Sequence, residues 1–294
     1  MSRLVYLDGG LVPAGEAKVS VFDHGYLYGD GVFEGIRCYS GVIFRLRQHI
    51  RRLYESAKSI LIEIPMTPEE MEAAHVKTVA ANGLKDAYIR TVVSRGPGDL
   101  GLDPRKCPTP TVVIIADAIK LFPPEMYETG IKTLTSGYRR TAVDAHTYQV
   151  KSLNYLNGIM AKIQANLAGM SEAIMLDSHG FVAEGTGENL FIVKDGVLVT
   201  PPGSAGILEG ITRGALIELA RKDGIPVEFR NITLHDVYVA DECFLSGTAA
   251  EVMPVVELDM RKIGGGKPGP ITNRLRKHFY DIARTDGTRV LYEA

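Results

Sequence analysis

The chain has 294 residues, of which 45% are hydrophobic and 23% charged, and a formal net charge of -2. Such a chain can bury a large core, and its balance of residues excludes disordered and fibrous classes. The absence of any long Lys or Arg run argues against nucleic acid or anionic lipid as partners and leaves small molecules.

Met1 to Gly10 lacks the apolar core of a secretion signal, and no later stretch has the length and hydrophobicity to span a bilayer, so a cytosolic protein is expected. Short apolar runs of strand length follow one another: Leu4 to Leu7, Val19 to Phe22, Gly31 to Tyr39 and Val42 to Phe44. From His49 to Ile62 the apolar positions Ile50, Leu53, Ala57 and Ile60 recur at helical spacing. Thr67-Pro-Glu-Glu reads as a capped helix start and Gly83 as its stop. Ala87 to Ser94 and Thr111 to Ile115 read as buried strands. At Leu121-Phe122-Pro-Pro the pattern breaks, which suggests a small domain over 1–120, a linking loop over 121–129 and a larger domain over 130–294.

The second part opens with an apolar helical pattern from Leu153 to Leu167. Strands follow at Ala173 to Leu176, Phe181 to Ala183, Asn189 to Val193 and Val197 to Thr200, with Lys194-Asp-Gly as a hairpin turn. A helix from Thr212 to Lys222 stops at Gly224. A last strand, Glu242 to Ser246, runs into a Gly-Thr-Ala turn, and Gly264-Gly-Gly-Lys-Pro-Gly reads as a flexible connector.

Several chemical motifs fail on their residues. Pro268 stands after Gly264-Gly-Gly-Lys267 where a phosphate loop needs Ser or Thr, Gly185-Thr-Gly-Glu lacks the third glycine of a dinucleotide fingerprint, and Gly203-Ser-Ala-Gly is no hydrolase elbow. Cys38, Cys107 and Cys243 are far apart and form no CxxC pair, and the histidines show no ligand spacing, so neither disulfides nor a metal site are expected.

The informative stretch runs from Lys151-Ser-Leu-Asn-Tyr155 through Glu184-Gly-Thr-Gly-Glu188-Asn to Gly210-Ile-Thr212 and Ser246-Gly-Thr248-Ala-Ala-Glu. With Tyr28-Gly-Asp-Gly-Val-Phe-Glu-Gly-Ile-Arg37 and His49-Ile-Arg-Arg52-Leu, it resembles the class IV, or fold-type IV, pyridoxal-phosphate (PLP) aminotransferases over nearly the whole chain. The closest likeness is to the branched-chain amino acid type. That resemblance implies a mixed α+β and α/β fold, a small N-terminal domain with a larger domain built on a β-barrel-like core with helices, and a homodimer or an assembly of dimers.

PLP chemistry requires an amine that condenses with the coenzyme aldehyde and then shuttles a proton, and the resemblance gives this to Lys151. Taken alone, a lysine is a solvated surface residue. Tyr155 lies on the same helical side if the helix begins early, and the resemblance lets its hydroxyl bond the phenolate oxygen. Glu184 matches the acid beside the ring nitrogen, which stabilises the protonated pyridine. Nearby Glu188 is expected to bond the glycine-rich backbone. Ile211, Thr212 and Thr248 would cradle the phosphate at a helix start, with Arg52 adding a charged contact and Leu208 packing on the ring.

On the substrate side the resemblance implies an apolar wall of Tyr28, Phe33 and Tyr88, with Tyr28 supplied by the neighbouring subunit. Arg90 would meet a distal carboxylate, and Arg37 and Gly247 would complete the substrate-binding set. The backbone N–H groups of Thr248 and Ala249 would hold the α-carboxylate. The activity implied is ping-pong transamination of Leu, Ile and Val with 2-oxoglutarate. Alternatives within the same fold are a D-amino acid aminotransferase or an aminodeoxychorismate lyase. A non-catalytic relative would have lost Lys151 or Glu184, and both are present.

Overall fold

The computed structural model describes residues 3–118 and 122–292. Leu121 lies outside them. In chain order the elements are β1 (Leu4–Leu7), β2 (Gly10–Pro13), α1 (His24–Tyr28), β3 (Gly31–Tyr39), β4 (Val42–Phe44), α2 (Leu46–Ser59), α3 (Pro68–Ala81), β5 (Ala87–Ser94) and β6 (Thr111–Asp117). Then come α4 (Pro124–Thr129), β7 (Ile131–Thr135), α5 (Leu156–Leu167), β8 (Glu172–Leu176), β9 (Val182–Glu184), β10 (Asn189–Lys194) and β11 (Val197–Thr200). The remainder are α6 (Ile211–Lys222), β12 (Val227–Phe229), α7 (Leu234–Tyr238), β13 (Glu242–Gly247), β14 (Glu251–Leu258), β15 (Arg261–Lys262), α8 (Pro270–Ala283) and β16 (Gly287–Arg289).

The chain divides into two compact units that are not contiguous in sequence. The first takes Met1–Ile119, Val150–Asn154 and Ile282–Ala294; the second takes Lys120–Gln149 and Tyr155–Asp281.

In the first unit an antiparallel sheet runs β16-β4-β3-β5-β6-β1-β2. Alternation along β3 decides its faces. Val32, Ile36 and Cys38 turn to a core shared with Ile50 and Leu53 of α2, Met71 and Val79 of α3, and Ile89 of β5. Each such buried aliphatic side chain contributes roughly 1.5–3 kcal/mol. Helix α3 starts where the sequence says, because Thr67 and Glu70 form a reciprocal capping box ahead of Pro68. Helix α2 begins earlier than expected, at Leu46. Its N-cap, Arg45, makes no side-chain cap bond, so the sequence carries no start signal there.

One buried histidine makes acid stability a test of this core. His75 is fully buried between Met71 O, 2.7 Å from Nδ1, and Thr91 Oγ1, 2.6 Å from Nε2. The carbonyl can only accept, so Nδ1 carries a proton, and a neutral ring satisfies both contacts with Nε2 accepting from the threonine hydroxyl. Burial pushes its pKa down to about 4. The unfolded chain therefore binds a proton below about pH 6.5 that the folded chain refuses until about pH 4, and stability falls with acid across that window. His75→Gln is expected to lose about 2 kcal/mol less than the parent between pH 7 and pH 4.5 in urea unfolding, since other groups cancel in the difference. Equal losses would contradict the assignment.

In the second unit β10-β13-β14-β7-β8-β9 close into a ring, because β9 also pairs with β10 through Glu184 and Asn189. Strands β11 and β12 extend the sheet from β10, and β15 pairs with β14. Leu190, Ile192, Cys243, Leu245, Met253 and Val255 share one core with Ile174 and Val182. Phe122 packs against the same core.

Several expectations need correction. Val19 to Phe22 is an exposed loop and no strand: Ser20 Oγ accepts from Phe22 N, a local bond that competes with strand pairing. The stretch read as a linking loop contains α4, and Glu242 to Ser246 is followed by the further strand β14. Helix α5 starts at Leu156, not Leu153. Its apolar stripe is also turned outward, with Leu156, Ile159, Ile163 and Leu167 exposed and the small residues Gly158, Ala161 and Ala165 buried. Close approach explains this, because a Cβ at Gly158 would lie 2.6 Å from Thr186 O. The Gly264 segment is pinned rather than free: Gly264 N donates to Ala240 O, and a Cβ on Gly264 would strike Asp241 O at 2.1 Å.

Candidate active site

Residues proposed from the sequence fall in both units. In the first, Lys151 lies in an extended segment that bridges Val32 to Ser152. Its N–H donates to Ser56 Oγ at 3.1 Å and its carbonyl accepts from Phe33 N at 2.9 Å. Those bonds hold the backbone out of helical geometry, so Lys151 and Tyr155 do not share a helical face as expected. The Lys151 Nζ sits 4.4 Å from the centre of the Phe33 ring.

The other face of β3 carries the substrate-side candidates. Phe33 and Arg37 project there, and in register on β5 stand Arg90 opposite Gly35 and Tyr88 opposite Arg37. The Arg90 guanidinium lies 4.5 Å over Phe33 and 5.5 Å from the Tyr88 ring, and Arg37 lies 5.0 Å over Tyr39. Gly35 makes room for this group, because a Cβ there would meet the Tyr88 hydroxyl at 2.2 Å. Tyr28 ends α1, 39% exposed, with its hydroxyl donating to Leu100 O.

Arg52 faces the core side of the same sheet. Its Nε and Nη2 donate to Glu34 at 2.7 and 2.9 Å, and His49 Nδ1 donates to Glu34 Oε2 at 2.7 Å. Burial by itself would raise the Glu34 pKa, but the charge of Arg52 and the contacts of His49 hold it well below the usual carboxylate range. Burial pushes His49 the other way, toward the neutral form, against the pull of Glu34.

In the second unit Glu184 ends β9 and is 3% exposed. Arg140 Nη2 pairs with its Oε1 at 2.9 Å, while Asn189 Nδ2 and the Leu208 N–H donate to Oε2 at 3.1 and 3.3 Å. Glu184, Asn189 and Ser246 are register partners across β9, β10 and β13, so they form one row on one face. Ser246 is buried and its hydroxyl meets no partner among the described residues.

Helix α6 begins beside this row. Asn189 Nδ2 donates to Leu208 O at 2.7 Å, and a Cβ on Gly210 would lie 2.1 Å from Asn189 Oδ1. Gly210 is the N-cap and supplies no side-chain cap, so Ile211 and Thr212 open the helix with their N–H groups uncapped by a side chain. Thr212 is therefore within the first turn. Thr248 and Ala249 form the turn after β13, and Gly247 packs on Glu188, a Cβ there lying 3.4 Å from its Cγ.

Glu188 bonds the glycine-rich backbone as expected, accepting from Gly187 N at 3.1 Å. Burial first, and then the charge of Glu172, push its pKa up to about 8. Lys162 neutralises Glu172 at 2.8 Å. Tyr155 is the N-cap of α5, with its ring 5.9 Å from that of Tyr148 and edge-on to it.

Sequence reading missed Arg140, Asn189 and Tyr148. Asn189 stands beside the Glu188 it did notice, whereas Arg140 follows Arg139 in a segment with no periodic pattern, and only tertiary contact gives it meaning.

The class IV amino-transferase family pattern matches residues 31–258. The chain belongs to the class IV aminotransferases. This aminotransferase is 56% identical to a putative branched-chain-amino-acid aminotransferase of Methanocaldococcus jannaschii, over 98% of the chain and 99% of that protein. Among solved structures it is similar to the Escherichia coli branched-chain amino acid aminotransferase, with a TM-score of 0.94 and 37% identity over 98% and 97% of the two chains. It is also similar to the branched-chain amino acid aminotransferase of Thermobaculum terrenum in its PLP form, with a TM-score of 0.89 and 32% identity over 97% and 95%.

Proposed function

We propose that this aminotransferase moves the amino group of branched-chain L-amino acids to 2-oxoglutarate, with PLP as coenzyme. The observation that carries the reading is the row of Glu184, Asn189 and Ser246 beside the uncapped start of α6. A buried acid, a hydroxyl with no partner among the described residues and N–H groups that no N-cap side chain satisfies fit the two polar ends of a pyridine phosphate. The names borne by relatives aligned end to end support the substrate class, and the PLP form of one solved relative supports the coenzyme.

The residues would divide the work as follows. Bound PLP supplies an aldehyde that takes the amino group and a ring that withdraws electrons. Ile211, Thr212 and Thr248 hold the phosphate dianion through N–H groups and hydroxyls, with Arg52 adding charge. Leu208 packs on the ring, Tyr155 holds the phenolate oxygen and Glu184 accepts a hydrogen bond from the protonated ring nitrogen. Lys151 Nζ would anchor the coenzyme and would move the proton at the substrate Cα.

Substrate selection falls to Phe33, Tyr88 and Tyr28 for the branched side chain, Arg90 for the distal carboxylate of 2-oxoglutarate, and the Thr248 and Ala249 N–H groups for the α-carboxylate. Arg37 and Gly247 complete this set. Two half-reactions at one site release first a branched 2-oxo acid and then glutamate. Localisation in the cytosol and assembly as a homodimer, or as dimers of it, belong to the same proposal; the outward apolar stripe of α5 supports a partner surface. No helix among the described residues has the length and hydrophobicity to cross a membrane.

The test is a steady-state panel of Leu, Ile, Val and D-Ala with 2-oxoglutarate. Glutamate formed from the three L-donors and not from D-Ala is expected. No glutamate from any L-donor would remove the branched-chain claim and leave the D-amino acid or lyase alternative. Glu184→Ala should lower kcat by about 100-fold or more while coenzyme affinity, driven by the phosphate, falls much less.

A further inference from the structure

Arg140 is 3% exposed and lies between two proposed coenzyme contacts. Its Nη2 pairs with Glu184 Oε1 at 2.9 Å and donates to Gly185 O at 2.8 Å and Thr186 O at 3.2 Å. The guanidinium carbon of Arg140 lies 4.1 Å over the centre of the Tyr148 ring, and Tyr148 in turn meets Tyr155 edge-on. Its Nε and Nη1 meet no acceptor among the described residues, so Glu184 is the anion set against this buried charge.

We propose that Arg140 is a positioning residue that keeps Glu184 ionised and fixes the plane of its carboxylate, so that the shared proton stays on the coenzyme nitrogen. This rests on the reading that Glu184 meets that nitrogen.

A carboxylate buried to this degree is driven toward its neutral form unless a cation compensates it. Asn189 and the Leu208 N–H are neutral donors and both reach Oε2. Arg140 supplies the full positive charge in direct contact, at Oε1, and the buried Arg213 adds only a longer-range attraction. Without it Glu184 would take up a proton and become a donor, and a protonated acid cannot stabilise a protonated ring. The stack on Tyr148 and the two carbonyl bonds stop the guanidinium from turning, which a lysine could not reproduce. Through Tyr148 the same residue also supports Tyr155, the side chain proposed for the phenolate oxygen.

The experiment compares coenzyme-loaded parent, Arg140→Met, Arg140→Lys and Glu184→Gln. It reads the pH midpoint of the coenzyme's visible absorption band, coenzyme affinity by fluorescence, and kcat and KM separately. Arg140→Met is expected to move the midpoint by about one pH unit or more, in the same direction as Glu184→Gln, and to lower kcat about 10-fold or more with KM changed less than about threefold. A double variant combining Arg140→Met with Glu184→Gln should add little to either single one, because both remove the same ionised carboxylate. Arg140→Lys, which keeps charge and is the more certain to fold, should hold the midpoint near the parent's while lowering kcat about threefold or more.

Parent-like kcat in Arg140→Lys together with a parent-like midpoint in folded Arg140→Met would overturn the proposal. If Arg140→Met does not fold, parent-like kcat in Arg140→Lys overturns it alone. Should Glu184→Gln itself leave midpoint and kcat unmoved, the reading of Glu184 fails first, and that outcome is distinguishable from failure of Arg140 alone.

Discussion

Lys151→Ala is expected to reduce transamination by at least about 10⁴-fold, since one change removes both the coenzyme anchor and the proton carrier at the substrate Cα. The loss should come without unfolding. What ties Lys151 to its unit is backbone: the N–H to Ser56 Oγ and the carbonyl to Phe33 N, both of which alanine keeps. Thermal midpoints within a few degrees of the parent are therefore expected alongside near-zero turnover, a change below about 1 kcal/mol for a side chain partly in solvent. Turnover above about one hundredth of the parent's would contradict the role, because another group would then have to do the work assigned to this amine.

The second large effect concerns stability. Glu34 is 1% exposed and receives Arg52 in a two-bond fork and His49 on its second oxygen. Glu34→Ala leaves Arg52, itself largely buried, without its counter-charge, and a loss of about 3–5 kcal/mol is expected in urea unfolding. The pair also has a pH signature. A carboxylate whose folded pKa lies below its unfolded value stabilises the fold above about pH 4.3, and that contribution is lost as acid approaches the folded pKa. The parent should therefore lose stability below about pH 4.3 that Glu34→Ala no longer has to lose. Coenzyme affinity should fall too, because Glu34 holds the guanidinium proposed for the phosphate. A Glu34→Ala protein within about 1 kcal/mol of the parent would show that the cluster is not a stabilising unit.

The elements most legible in the sequence are those whose signals are local. The capping box of Thr67 and Glu70 marks α3, and the apolar run of strand length from Gly31 to Tyr39 marks β3. Helix α2 is visible by its apolar spacing, but its start is not, since Arg45 makes no cap bond. Where tertiary pairing overrides local pattern, reading fails. The apolar run of Val19 to Phe22 forms no strand, and the stripe of α5 points outward because small residues on its opposite face allow close packing.

The candidate site divides in the same way. Lys151, Glu184, Thr212 and Thr248 stand in motifs of fixed spacing, so resemblance could name them. The backbone of Lys151 could not be read, because its hydrogen bonds go to Ser56 and Phe33, which are far from it in sequence. Arg140 had no motif at all. Its significance comes from an ion pair with a residue 44 positions later, and no local signal encodes it.

The central claim is that one amine, that of Lys151, carries the coenzyme. Reduction of PLP-saturated protein with borohydride, followed by digestion and mass spectrometry, tests it most directly. A pyridoxyl mass tag on the peptide containing Lys151 is the predicted result. A tag on a different lysine, or no tag at saturating PLP, would contradict the account.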